Sequence, residues 1–91
     1  MAETARHIVF TGRVQGVGFR FTAFHAANRC QLTGWVRNCD DGNVEMIVQG
    51  RSDGIGDCIR DIQQSFAGYI RETKIEQVPP DPRHKDFKIT F

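Results

Sequence analysis

The nine residues Gly12-Arg13-Val14-Gln15-Gly16-Val17-Gly18-Phe19-Arg20 join two runs of different hydrophobic period, so they predict a strand-to-helix turn. On the near side, His7 to Gly12 alternates, with Ile8 and Phe10 on one face and Val9 and Thr11 on the other, as a strand requires. On the far side, Phe21, Phe24, Ala27 and Cys30 fall three apart between Phe19 and about Cys30, with Ala23 and Ala26 adding small contacts. No Gly or Pro interrupts that run, and an amphipathic helix fits it. Three glycines in seven residues let the connecting backbone bend sharply and approach a bound group with no Cβ in the way. Such a turn points unpaired N–H groups outward, and the helix adds its positive N-terminal end, a combination that suits an anion. Arg13 and Arg20 bracket the turn with positive charge.

The remaining elements follow the same two periods. Leu32 to Cys39 reads as a second strand, with Trp35 expected in the core. Asp40-Asp41-Gly42-Asn43 then marks a hairpin, and Val44, Met46 and Val48 alternate with Glu45, Ile47 and Gln49 in an antiparallel third strand. After the break from Gly50 to Gly56, where Ser52 or Asp53 can cap a helix, Ile55, Cys58, Ile59, Ile62 and Phe66 form one apolar stripe that Gly68 terminates. Tyr69 to Val78 is extended with weak alternation, Pro79-Pro80-Asp81-Pro82 is a rigid bend, and Phe87, Ile89 and Phe91 make a short last strand. Two amphipathic helices need apolar cover, and one face of an alternating sheet supplies it. The expected fold class is therefore α+β: a split βαβ arrangement, βαββαβ plus a short C-terminal strand, with an antiparallel sheet and both helices on one face.

Composition excludes more than it asserts. Ninety-one residues, 40% hydrophobic and 25% charged, suit one soluble domain spanning 1–91. A net charge of +1 gives no overall pull toward nucleic acid or acidic membranes, so anion recognition must be local. No run is long and apolar enough to span a membrane, and Met1-Ala-Glu-Thr-Ala-Arg6 lacks the basic and apolar regions of a signal peptide, so a cytosolic location is expected. Cys30, Cys39 and Cys58 form no CxxC pattern, and free thiols are expected in preference to one bridged pair. His7, His25 and His84 show no metal-ligand spacing.

The glycine turn is neither GxGxxG nor GxxxxGK[ST], which removes the dinucleotide and P-loop readings. A glycine-rich turn alone is an ordinary structural device. Arg20 changes the balance, because a guanidinium at a helix start opposes the dipole by about 0.3–1 kcal/mol unless an anion offsets it; pairing with a carboxylate elsewhere is the plainer alternative. Asn38 is the second candidate. Asn is a poor strand former, and near a strand end its amide offers a donor and an acceptor suited to fixing a water molecule, though a strand-end Asn also occurs with no such role.

Taken together, Gly12-Arg-Val-Gln-Gly-Val-Gly-Phe-Arg20, Gly34-Trp-Val-Arg-Asn38 and Asp41-Gly42-x-Val44-Glu45 resemble the acylphosphatase family over nearly the whole chain. The resemblance implies a ferredoxin-like sandwich, an acylphosphatase-like domain over 1–91, and hydrolysis of acyl phosphates to carboxylate and inorganic phosphate without metal or cofactor. It implies that the backbone of Gln15, Gly16, Val17, Gly18 and Phe19 binds phosphate together with Arg20, and that Asn38 orients the attacking water. The expected partners are a small-molecule acyl phosphate and inorganic phosphate, with neither nucleic acid nor membrane, and the expected state is a monomer. Phe66-Ala-Gly-Tyr-Ile-Arg-Glu-Thr-Lys-Ile75 departs from the family's usual Gly-Pro-rich segment, which leaves the fourth-strand register open. The short last strand would allow the Phe91 carboxylate to approach Arg20.

Three other readings compete. An RNA-recognition module shares the strand order, but the third strand carries no aromatic to stack on a base. A carbamoyl-phosphate-handling domain of hydrogenase maturation factors shares the glycine motif, but usually has proline where Phe21 stands and continues into a larger protein. A silent scaffold would have no use for both Arg20 and Asn38.

Overall fold

The computed structural model describes residues 3–91; Met1 and Ala2, where the segment tested for a signal peptide begins, lie outside the described residues. The chain runs β1 (Thr4–Gly12), α1 (Phe19–Arg29), β2 (Thr33–Asn38), β3 (Val44–Gly50), α2 (Ser52–Ser65), β4 (Ile70–Val78) and β5 (Phe87–Ile89). Its five strands form one sheet in the order β4-β1-β3-β2-β5. The four long strands pair antiparallel with one another, as expected, whereas β5 lies parallel to β2, pairing Gly34 with Phe87 and Val36 with Ile89. That parallel pairing follows from the long proline-containing connection, which crosses from one sheet edge to the other instead of turning back as a hairpin. Gln49 secures the crossing. Its buried amide donates to Asp81 O at 3.0 Å and accepts from Asp81 N–H at 2.8 Å, in a stretch where prolines supply no amide hydrogens.

Both helices cover one sheet face, and the core between them holds Ile8 and Phe10 of β1, Val36 of β2, Val44, Met46 and Val48 of β3, and Ile55, Cys58, Ile59 and Ile62 of α2. The strand alternation and the α2 stripe therefore face as their periods predict. The hairpin forms around Gly42 at φ 92°, closed by Cys39 N–H donating to Asn43 O at 2.8 Å. Gly68 follows α2 at φ 89°, ending the helix where expected.

Three local expectations change, and one open register is fixed. The three-residue spacing in α1 does not define its buried side: Phe19, Ala23, Ala26 and Ala27 are buried, whereas Phe21 is 63% exposed and Phe24 is half-buried. Each step of three falls about 60° short of a full turn, so a stripe so spaced winds off the face. Trp35 leaves the core side and stands half-buried on the helix-free face beneath Arg37, whose guanidinium lies 5.4 Å from its ring centre, because strand alternation gives the core face to Val36. Arg51, in extended conformation, is the N-cap of α2, while Ser52 and Asp53 fall in its first turn. There Asp53 sits favourably at the positive helix end. Finally, β4 pairs along β1 with one irregularity between Thr11 and Gly12, the register left open by sequence.

Candidate functional site

The loop after β1 is held at three points and left open at its crown. At Gly12, φ 114°, a Cβ would lie 2.3 Å from Tyr69 O, so only glycine permits the close approach through which Arg13 N–H donates to that oxygen at 2.8 Å. Val14 is buried. The Gln15 side chain turns away from the crown, and its Nε2 donates to Cys39 O at 2.8 Å and Asn43 O at 2.9 Å, tying the loop to the β2–β3 hairpin. Gly16 and Gly18 adopt φ 77° and 79° with open space where a Cβ would project. Gly18 is the N-cap of α1, and Phe19 anchors the first turn against Phe10 and Phe66, with ring centres 4.9 and 4.6 Å away. Among the described residues, the amides from Gln15 to Phe21 make no backbone hydrogen bond. They are the donors that a glycine-rich helix start leaves free.

This crown faces a pocket of about 310 Å³ lined by Val14, Gly16, Gly18, Phe19, Arg20, Phe21, Asn38, Ile89 and Phe91. Strand alternation delivers Asn38: Gly34, Val36 and Asn38 share the helix-facing side of β2, and Asn38 lies at its end, beyond the buried Val36. Its Oδ1 is buried and has no hydrogen-bond partner among the described residues. Such an atom is costly to keep, by about 1–3 kcal/mol, unless something else donates to it. Arg20 enters from the first turn of α1, which carries no acidic residue, and among the described residues no carboxylate lies within ion-pair distance of it. The ring of Phe91, rather than its carboxylate, meets the guanidinium, at 5.1 Å from the ring centre. Free amides, one unneutralised guanidinium and one unpartnered amide oxygen thus converge on one small cavity. This is an environment for a compact anion with a water beside it.

Not every residue singled out in the motif reaches that cavity. Gly16, Gly18, Phe19, Arg20 and Asn38 do; Gln15 approaches through the loop but commits its side chain to the hairpin, and Val17 is exposed on the crown. Arg13 lies in a different groove, with Asp41 and Tyr69, so it does not bracket the site with Arg20. Phe91 was expected near Arg20 through its carboxylate and instead brings its ring, while the place of Ile89 in the outer wall went unread because β5 had no pairing partner until the sheet was assembled. Among the described residues, no three His, Cys, Asp or Glu side chains gather where they could hold a metal ion. A separate network lies on the opposite sheet face. Glu45 accepts from His7 Nε2 at 2.6 Å and Arg37 Nε at 2.7 Å, and these bonds, His7 first, hold its carboxyl below the usual range. The three cysteines are unbonded, and burial pushes the Cys58 thiol up to about 12.

Comparison with known proteins points to one family. The acylphosphatase family model matches residues 6–89. An acylphosphatase of Alcanivorax borkumensis is 38% identical over 91 aligned positions, covering 96% of this chain and 99% of that protein. The crystal structure of an acylphosphatase from Bacillus subtilis superposes with a TM-score of 0.89 at 29% identity, over 97% of this chain and 99% of that one. Full-length HypF, crystallised in a phosphate- and nucleotide-bound form, contains a similar backbone at 33% identity and a TM-score of 0.86; 99% of this chain aligns with only 12% of it. Likeness in sequence and backbone, end to end with proteins of the same length, leads to one assignment: this chain belongs to the acylphosphatase family.

Proposed function

We propose that this chain hydrolyses the carboxyl–phosphate bond of acyl phosphates, with the Gln15–Phe19 backbone and Arg20 holding the phosphate and Asn38 orienting the attacking water. The observation that carries this reading is the convergence of Arg20, the open glycine crown and the unpartnered Asn38 Oδ1 on one cavity. Loop amides and the planar guanidinium match the oxygens of a phosphoryl group and stabilise its charge as the bond to the acyl oxygen loosens. Asn38 Oδ1 accepts one hydrogen of the water, which aligns the water oxygen with phosphorus. The new P–O bond forms as the acyl P–O bond breaks; the leaving oxygen keeps the bonding pair as carboxylate, and the water proton passes to a phosphate oxygen. A carboxylate leaves readily, so the step needs no covalent enzyme intermediate and no protein acid. The chain is read as a cytosolic monomer; its unbonded thiols fit the reducing compartment. Among the described residues, no helix is long and apolar enough to cross a membrane.

Hydrolysis of benzoyl phosphate by the purified chain tests the reading. Asn38→Ala should lose roughly 10²-fold or more in turnover while inorganic phosphate still inhibits with near-wild-type affinity, whereas Arg20→Gln should lose both turnover and phosphate affinity. Full turnover in Asn38→Ala would refute the assigned mechanism.

A further inference from the structure

Five large hydrophobic side chains are notably exposed among the described residues, and three of them, Val17, Phe21 and Phe91, stand on the glycine crown or at the rim of its pocket. Single exposed hydrophobes are commonplace on any surface. Here the first turn of α1 and the end of the chain bring Phe21 and Phe91 to one wall, where β5 adds the half-buried Ile89. Phe21 is also held in place: its ring meets His25, one helical turn on, edge to face with ring centres 4.4 Å apart. The wall lies on the same cavity as Arg20 and Asn38. A substrate whose phosphate is bound by the crown has its other end at this lip.

We propose that Phe21 and Ile89 form an acyl-group subsite, and that the chain acts on small acyl phosphates with an aromatic or apolar acyl group in preference to short, polar ones. The inference rests on the acyl-phosphate reading above and adds the substrate class. The cavity volume of about 310 Å³ lies at the small end of ligand sites, so the acyl group it encloses is compact, of the size of one ring. A ring laid against Phe21 gains the energy of an aromatic pair, and Arg20 already accepts an aromatic face at the same rim.

The test compares kcat/KM for benzoyl phosphate and acetyl phosphate in wild type, Phe21→Ala, Phe21→Leu and Ile89→Ala, with inhibition by inorganic phosphate measured alongside. Phe21 is 63% exposed, so its replacement does not threaten folding. Phe21→Ala should lower the benzoyl-to-acetyl ratio by roughly three- to tenfold, carried by KM, with Phe21→Leu falling between it and wild type. Phosphate, which has no acyl group, should change its inhibition constant less than benzoyl phosphate changes its KM. A ratio that does not move in Phe21→Ala, while wild type hydrolyses both compounds, overturns the subsite and leaves the activity standing. Failure of wild type to hydrolyse either compound overturns the activity and the subsite with it.

Discussion

Replacing Gln15 by methionine removes two hydrogen bonds while keeping the length of the side chain. Gln15 Nε2 donates to Cys39 O and Asn43 O at 2.8 and 2.9 Å, and Cys39 directly follows Asn38. Both carbonyls have a second donor within the turn, Gly42 N–H at 3.2 Å on Cys39 O and Cys39 N–H at 2.8 Å on Asn43 O. The variant therefore loses two net hydrogen bonds, each contributing about 0.5–1.5 kcal/mol, without the larger penalty of orphaned carbonyls. The expected destabilisation is about 2 kcal/mol, which lowers Tm by roughly 8–16 °C in a chain of this size. Urea unfolding followed by the fluorescence of Trp35, the single tryptophan, measures it. The functional consequence is separate. The tether sets the distance between the phosphate loop and Asn38, and a displacement of about 1 Å in a catalytic alignment can cost 10²-fold. Turnover should fall by roughly 10- to 100-fold, with inhibition by inorganic phosphate changing much less, because the loop amides remain. Gln15→Met with stability within about 0.5 kcal/mol of wild type and unaltered turnover would refute the reasoning.

Four further outcomes follow from the structure. Gly18→Ala places its Cβ in open space, so its stability cost is confined to the left-handed backbone, about 1–2 kcal/mol, while hydrolysis drops steeply because the methyl group projects beside the free amides; Gly34→Ala, whose Cβ would lie 2.0 Å from Ile47 O, should fail to fold by circular dichroism. His7 and Arg37 hold the folded-state Glu45 carboxyl below its ordinary value of 4.5, so its contribution to stability is complete above that value and is lost as pH falls through the lowered one; Glu45→Gln should flatten this acid limb in urea titrations at successive pH values. Burial pushes the Cys58 thiol up to about 12, so mass spectrometry after iodoacetamide at pH 8 should find Cys58 unmodified in the native protein and modified in urea.

Much of this molecule was legible before folding, and what was not shares one cause. The α2 stripe, the Asp41-Gly42 hairpin and the strand-to-helix glycine turn depend on residues a few positions apart, where period and φ preference act directly. Motif resemblance also singled out Arg20 and Asn38, and both line the pocket. Phe21 was misplaced because regular spacing by three is not helical periodicity, and Trp35 because a strand offers two faces and hydrophobicity alone does not choose between them. Arg13 shares the motif with Arg20 yet lines another groove, since loop curvature, not membership of one motif, sets side-chain direction.

The sequence by itself determined the elements, their order and the chemistry available at the turn, because local backbone preference and hydrophobic period suffice for those. Tertiary structure alone decided that Asn38 and Arg20 line one cavity, that Gln15 braces the loop against the hairpin, and that β5 brings Ile89 to the pocket. Each of those placements joins residues far apart in the chain, and they come together only when β3 pairs with both β1 and β2, bringing their ends to one end of the sheet, and β5 pairs with β2.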